Sequence, residues 1–483
     1  MKKLVNIIGG GLAGSEAALQ LAARGVSVNL LEMRPAKQTP VHAGSGLAEL
    51  VCSNSLKSMK EDKPAGMLKD ELALLGSRLL HCAIAARVPA GGALAVDRTA
   101  FSSAVDAMVA AEPNITRVVG EAISLGSEVR YIDADGREQA LDAADATIVA
   151  TGPLTSDALA EQVRGITGSD HMAFYDAAAP IVMADSLDSR VLFRQSRYDD
   201  SGDGDYLNAP FTKEEYERFI TELLQADRVI ARDFETRDLF CACQPIEEVA
   251  RSGFDAPRHG MMKPVGLIDP RTGRRPYAAV QLRAEDAHGS SYNLVGFQTN
   301  LTFPEQRRVF RLVPGLEHAE FARYGVMHRN TFLDAPSLLD DSFRLRGSET
   351  IYFAGQVAGT EGYCEAIMSG LYVALRVYAR LIETAMRPLP GTTSFGALVR
   401  YATDPRTVDY QPMHVNFGVF PPIDPPIRNK GQRYRAFLER ERADMKAYVD
   451  ELAEAGILDG DDAGHREWTA LLDALGMRDG SER

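Results

Sequence analysis

LVNIIGGGLAGSEAALQLAARGVSVNLLE, residues 4–32, decides the fold. Leu4, Val5, Ile7 and Ile8 make a short apolar run of the kind buried on both faces of a parallel sheet. GGGLAG, Gly9 to Gly14, follows at once, and SEAALQLAARG reads as a helix ending near Gly25. VSVNLLE, Val26 to Glu32, supplies a second strand. Strand, glycine turn, helix and strand in this order form a dinucleotide-binding βαβ unit. Gly9 permits the tight turn, Gly11 lets backbone approach a pyrophosphate, and Gly14 lets the helix pack close with its positive end toward the phosphates. Gly10, Leu12 and Ala13 complete the turn. Glu32 stands where a carboxylate holds ribose hydroxyls, and Glu in place of a basic residue suits an adenosine without a 2′-phosphate.

Bulk composition narrows the class. At 483 residues the chain exceeds the size at which one core stops growing, so more than one substructure is expected. A net charge of -14 excludes a general polyanion binder and leaves only local basic patches for nucleic acid. Five cysteines, Cys52, Cys82, Cys241, Cys243 and Cys364, have no disulfide-like spacing, which suits a reducing compartment, with the cytoplasm as the expected location. No run approaches the roughly 20 apolar residues of a membrane span, and the glycines and Asn6 interrupt the apolar start. Cys-x-Cys is too short for a four-ligand site and only 9 His are scattered along the chain, so no metal is expected.

The identity of the dinucleotide is read further along. ATIVATGP (146–153) is a buried strand running into a glycine turn, and IYFAGQVAG (351–359) is another, feeding a long helix that starts near Glu361. The pair resembles the two later segments of flavoproteins of the glutathione-reductase type, which close over FAD. That resemblance implies an α/β fold, a Rossmann-like FAD-binding domain of the glutathione-reductase type with an inserted α+β domain. It adds Gly152, Gly355, Gln356, Glu361, Gly362 and Tyr363 to the cofactor contacts, with the positive end of the helix at the flavin pyrimidine edge and Tyr363 beside the ring. No second GxGxxG follows a strand, so NADPH or NADH is expected to dock transiently.

The organisation expected is a first part of the FAD domain over 1–190, an inserted substrate domain over 191–320, a second part of the FAD domain over 321–385, and a C-terminal segment, 386–483, whose charged helix packs on the FAD domain. Phe101, Val105, Met108 and Val109 have helical spacing. A helix capped near Thr212, with Glu214 and Glu215 in its first turn, opens the insert. RRPYAAVQLR (274–283) and SYNLVGFQTNL (291–301) read as a hairpin.

Two cysteines stand in unusual company: Cys52 in LVCSNSLKS (50–58) and Cys243 in LFCACQPIEEVA (239–250). These stretches, together with SRYDDSGDGDYLNAP, MMKPVGLIDPRTGRRPYAAVQLR, YNLVGFQTNL, YGVMHRNTF, YFAGQVAGTEGY and QPMHVNFGVFPPI, make the chain similar over nearly its whole length to the TrmFO family of folate- and FAD-dependent tRNA (uracil-5-)-methyltransferases. The larger GidA-type modifiers share the first motif but extend through a long C-terminal helical region. Cys364 departs from the family pattern, which has a small or branched apolar residue there, and the tail beyond about 450 is longer than usual.

The resemblance implies 5-methyluridine formation in the tRNA T loop, at position 54, with methylenetetrahydrofolate as carbon donor and FADH2, regenerated by NADPH or NADH, as reductant. Its two functional cysteines fall on Cys52 and Cys243. C5 of uracil is a poor nucleophile, so a thiolate adds at C6 to make C5 attack the donor. Loss of the C5 proton and of the C6 thiolate then leaves an exocyclic methylene that accepts hydride. Cys243 is assigned to C6 and Cys52 to the base, and the two roles are interchangeable at this point. A free cysteine titrates near 8.5, so each needs a cation, hydrogen bonds or a helix N-terminus nearby. Cys82 and Cys364 read as packing, and Cys241 stays open.

RNA contact is expected from RTGRRP (271–276), EQRRVFR (305–311) and IRNKGQRYR (427–435), with Tyr277, Tyr292, Phe297 or Tyr434 to stack bases or the pterin. Arg283 and the run His328, Arg329 and Asn330 are candidate substrate contacts, the run reading alternatively as a turn before a helix. A relative acting on ribosomal RNA, or a flavin oxidoreductase of small molecules, would share many of these motifs.

Overall fold

The computed structural model describes residues 2–39, 41, 42, 44–167, 172–197, 204–230, 244–408, 410–459 and 463–477. The strand Leu4–Ile8 lies at the centre of a five-stranded parallel sheet, between Ser27–Glu32 and Ala146–Val149, with Ile115–Val119 and Ile351–Phe353 at the edges. Val5, Ile7, Leu30 and Ile148 are fully buried, as strands covered on both faces require. The helices Leu12–Ala23 and Tyr363–Leu381 pack tightly on one another and on the sheet. Two glycines allow that approach: a Cβ on Gly14 would lie 1.8 Å from the Gly9 carbonyl oxygen, and one on Gly370 would lie 2.1 Å from that of Ala13. All five strands are parallel, so the turns after Ile8, Glu32, Val149 and Phe353 open on one side, where α/β sheets bind ligands.

A second sheet is six-stranded and antiparallel, in the order Phe193–Arg194, Tyr206–Phe211, Ala278–Ala284, Ser291–Leu294, Ile181–Met183, Phe321–Arg323. It has its own core, in which Phe211, Phe219, Phe297 and Phe310 meet ring to ring. The expected hairpin is present as Ala278–Ala284 against Ser291–Leu294. The helix Lys213–Gln225 begins with a complete capping box between Thr212 and Glu215. The sheet extends beyond the sequence-based limits of 191 and 320. Ile181–Met183 and Phe321–Arg323 belong to it because they pair with each other, and Ile181–Met183 also pairs with Ser291–Leu294.

Both crossings between the two sheets run through one antiparallel ribbon, Met172–Ala177 with Met327–Phe332. His328, Arg329 and Asn330 therefore lie in a strand, which corrects the alternative of a turn before a helix. Their backbone is paired along its length with Phe174 to Asp176.

The C-terminal segment returns to the parallel-sheet core. Met445, Tyr448 and Leu452 of the helix Lys430–Glu454, and Trp468 and Leu472 of Ala463–Ala474, are buried in it. Phe417, Phe420, Tyr434 and Phe437 form a separate aromatic cluster over Met67 and Ala397.

Candidate active site

A cavity of about 340 Å³ opens at the carboxyl ends of the parallel strands. The GxGxxG turn forms its floor. Gly9 has φ +103 and sits against Ala150, where a Cβ would come within 2.5 Å of the carbonyl oxygen. Gly11 faces the cavity, and a Cβ there would meet no protein atom within 4 Å. The helix Leu12–Ala23 has no side-chain cap at Gly11, so its first amides are available to an anion. Leu12 and Ala13 also line the cavity, whereas Gly10 and Gly14 lie behind it.

Glu32 lines the wall beside the turn. Its carboxylate accepts from Gly10 N at 2.8 Å, from Arg34 N at 3.0 Å and from Arg34 Nε at 2.9 Å. Burial opposes its charge, but the Arg34 guanidinium and these amides outweigh burial and hold it below the usual carboxylate range. Arg34 also reaches Glu49 at 3.1 Å. Burial, reinforced by Arg34, depresses neighbouring His42 to about 4. Arg34 and His42 carry no motif, and sequence reading missed them.

Gly152, Gly355, Gln356, Glu361, Gly362 and Tyr363 line the opposite wall. The helix Tyr363–Leu381 starts there without a side-chain cap. Cys52 lines the same cavity, half-buried, and its backbone N–H donates to Tyr363 Oη at 2.9 Å; Ser53 N–H donates to the same oxygen at 3.0 Å. Burial raises the Tyr363 phenol, with the Cys52 sulfur as the next contributor, so the hydroxyl stays neutral. Cys52 Sγ lies 3.7 Å from the carbonyl oxygen of Ala177, the last residue of the ribbon strand.

Arginines from two distant segments grip the cysteine loop. Arg98 Nη1 donates to Leu50 O at 2.8 Å, and Arg323 Nη2 donates to Val51 O at 2.6 Å. Arg98 is ion-paired with Glu285 at 2.6 Å. Arg283 Nε donates to Asn54 Oδ1 at 2.7 Å, while Asn54 donates to Val96 O and to Ala284 O. Arg283 is thus a buried member of the seam between the loop and the six-stranded sheet, and is not among the cavity's lining residues. Arg98 and Arg323 are single arginines with no motif around them, so no local signal marks them.

Comparison with known proteins gives consistent results. Residues 4–384 match the family model described as "Glucose inhibited division protein A". The protein named "Methylenetetrahydrofolate--tRNA-(uracil-5-)-methyltransferase TrmFO" from Geobacter sulfurreducens is 51% identical over 451 residues, which is 93% of this chain and 99% of that protein. The Heliobacterium modesticaldum protein of the same name is 47% identical over 449 residues, 92% of this chain and 98% of that protein. The chain belongs to the TrmFO family. Among solved structures, two crystal forms of Aquifex aeolicus GidA superpose with TM-scores of 0.67 and 0.68. They are 14% and 15% identical, cover 98% of this chain and 76% and 79% of their own, and share the fold.

Within this TrmFO-family chain, Cys241 and Cys243 lie outside the described residues. The described cysteines differ sharply from one another. Cys82 is buried, with its thiol pushed up to about 11 chiefly by burial, and Cys364 is buried with its thiol likewise raised. Cys52 alone of the three borders the cavity. The backbone of the run His328–Asn330 pairs with the strand ending at Ala177.

The TrmFO-family aromatics and basic runs are also sorted by the structure. Phe297 is fully buried, Tyr292 is 4% exposed, and Tyr277 packs between Tyr216 and Arg258, so these rings serve the core of the insert and not base stacking. Arg271 is paired with Asp269, and Arg308 with Glu305 and Glu222. Tyr434 remains on an open groove. Among the described residues there is no cluster of metal-binding side chains, and no helix is long and apolar enough to cross a membrane.

Proposed function

We propose that the cavity binds FAD and that the chain moves a one-carbon unit from methylenetetrahydrofolate to C5 of a uridine in tRNA, at position 54 of the T loop. The observation that carries this reading is the placement of Cys52 in the same cavity as the glycine turn, with its amide held by Tyr363 at the start of the facing helix. The residues fit FAD: uncapped amides at Gly11 and Gly362 for charge-bearing edges, Glu32 for the ribose, and an open approach over Gly11. Gly9, Gly11, Leu12, Ala13, Gly152, Gly355, Gln356, Glu361, Gly362 and Tyr363 would hold it. When bound and reduced by NADPH or NADH, FAD supplies the hydride that turns a methylene into a methyl group.

The protein's own part is addition, deprotonation and positioning. Cys243 adds to C6 and Cys52 takes the C5 proton, after which the C6–S bond breaks; a mirrored assignment uses the same two sulfurs. Arg98, Arg323 and Tyr363 fix the Cys52 loop from three sides. The parallel-sheet parts carry the cofactor, the six-stranded insert carries substrate contacts, and the C-terminal helices brace the cofactor domain. We place the reaction in the cytoplasm.

The test incubates purified protein with methylenetetrahydrofolate, NADPH and unmodified tRNA, then maps 5-methyluridine. Cys52→Ala and Cys243→Ala should each abolish the product while keeping the flavin absorbance. Full turnover by both variants overturns the catalytic assignment, and NADPH oxidation without methylated RNA points to a small-molecule oxidoreductase.

A further inference from the structure

We propose that a second, open groove of about 600 Å³ beside the cavity carries the phosphodiester backbone of the RNA substrate, with Tyr434 and Phe417 stacking an unpaired base. The proposal rests on the reading that the cavity acts on a base of RNA. Lys57, Lys63, His414, Asn416, Phe417 and Tyr434 line the groove. Lys57 lines the first cavity as well, so the two spaces meet at its side chain.

Lys57 is held there at an energetic cost. Its φ is +67, in the left-handed region that non-glycine residues avoid. Its side chain is 40% exposed, and its ammonium lies 3.2 Å from Oε1 of Glu365, a side chain 1% exposed whose carboxylate also accepts from Val415 N at 3.1 Å. The flavin-side helix thereby fixes a cation at the junction of the two spaces.

Farther along the groove, the Lys63 ammonium stands 4.7 Å from the centre of the Tyr434 ring, and that of Lys430 stands 5.5 Å from it. The Tyr434 ring is 4.4 Å from Phe417, which stacks on Phe437 at 4.8 Å. Cations around a backed aromatic platform are what a single-stranded nucleic acid requires. The acidic groups are few. Glu365 is committed to Lys57 and Val415, and Asp62 pairs with Lys63 at 2.7 Å in a contact more than one-third exposed on each side, which an incoming phosphate can replace. Burial, then Lys57, lowers His414, making it a neutral hydrogen-bonding group at physiological pH. Elsewhere Arg271 and Arg308, one arginine from each of the other two basic runs, are paired with carboxylates, on a chain of net charge -14.

The test measures tRNA binding by the FAD-loaded protein across a salt series, with wild type, Lys63→Ala/Lys430→Ala, Tyr434→Ala and Tyr434→Phe. The double lysine variant should bind about tenfold more weakly, with a slope of log K against log salt shallower by about 1.4, at ~0.7 for each phosphate left without its lysine. Tyr434→Ala should also weaken binding, and Tyr434→Phe should restore it. Wild-type affinity and slope in the double variant overturn the proposal, as does a raised KM for NADPH with tRNA affinity unchanged, which would give the groove to the nicotinamide dinucleotide. Failure of the wild type to methylate tRNA sinks the functional reading instead, and is distinguishable because the binding series does not depend on turnover.

Discussion

Arg323, on the edge strand of the six-stranded sheet, donates to the carbonyl of Val51 at 2.6 Å, one residue before Cys52. An insert residue thus sets the backbone of a loop that belongs to the cofactor side. Burial, and next the nearby Arg98, lower its affinity for a proton, whereas Tyr363 and Cys52 raise it. Arg323→Met should leave FAD bound and cut methylation by on the order of 100-fold, the cost of a misplacement of ~1 Å at a reacting group. Alkylation of Cys52 by iodoacetamide at pH 7.5 should change in rate as its loop loses the donor that sets the Val51 carbonyl. Unchanged rates in both assays would remove Arg323 from this role.

Tyr363→Phe deletes the oxygen that accepts the amides of Cys52 and Ser53. Two donors lose their partner, a cost of about 1–3 kcal/mol each where water cannot replace it. The melting temperature should drop, and 5-methyluridine formation should fall more than flavin content does. Equal losses of both would indicate a purely structural tyrosine.

Gly11→Ala and Gly14→Ala should fail differently. At Gly11 φ is −72 and a Cβ meets no protein atom, so alanine leaves the fold intact and intrudes only on the cavity. At Gly14 a Cβ lies 1.8 Å from Gly9 O, so alanine forces helix and strand apart. Absorbance at the flavin band should be lost in soluble, folded Gly11→Ala, whereas Gly14→Ala should melt several degrees lower even without cofactor.

Glu71 and Glu441 join the C-terminal helix to the core with facing carboxyl groups. Glu71 accepts from the amides of Ser394 and Phe395, and it hydrogen-bonds the Glu441 carboxyl through a proton the two share. Burial pushes Glu71 up to about 7, and burial together with Glu71 pushes Glu441 well above its ordinary value. A raised carboxyl binds its proton in the folded chain at pH values where the unfolded chain has released it. This contribution to stability therefore declines from about pH 4.5 upward through pH 7, the reverse of a salt-bridged carboxylate. Glu441→Gln should flatten that decline and raise the melting temperature at pH 8, measured by calorimetry from pH 5 to 8. A steeper decline in the variant would contradict the shared proton.

The residues that are legible in the sequence are those whose role is local. Gly9 to Gly14 and Glu32 are spaced by the geometry of one βαβ unit, and Thr212 with Glu215 by one helical turn. Cys52 stands out by its neighbours, but the groups that hold it come from positions 98, 323 and 363, brought together only by packing. Ile181–Met183 and Phe321–Arg323 escape notice as sheet members because three residues carry no measurable alternation. Tyr292 looks available for stacking because aromatic character alone does not tell which side of a strand faces the core, and Phe297, beyond the end of that strand, is buried by the packing of distant rings.

The paired strands Met172–Ala177 and Met327–Phe332 are the two described chain crossings into the insert, and Ala177 touches the Cys52 sulfur. Beside this double strand, Arg283 bonds Asn54 and Arg323 bonds Val51, so the sulfur sits where the two bodies are riveted together and keeps one position relative to both.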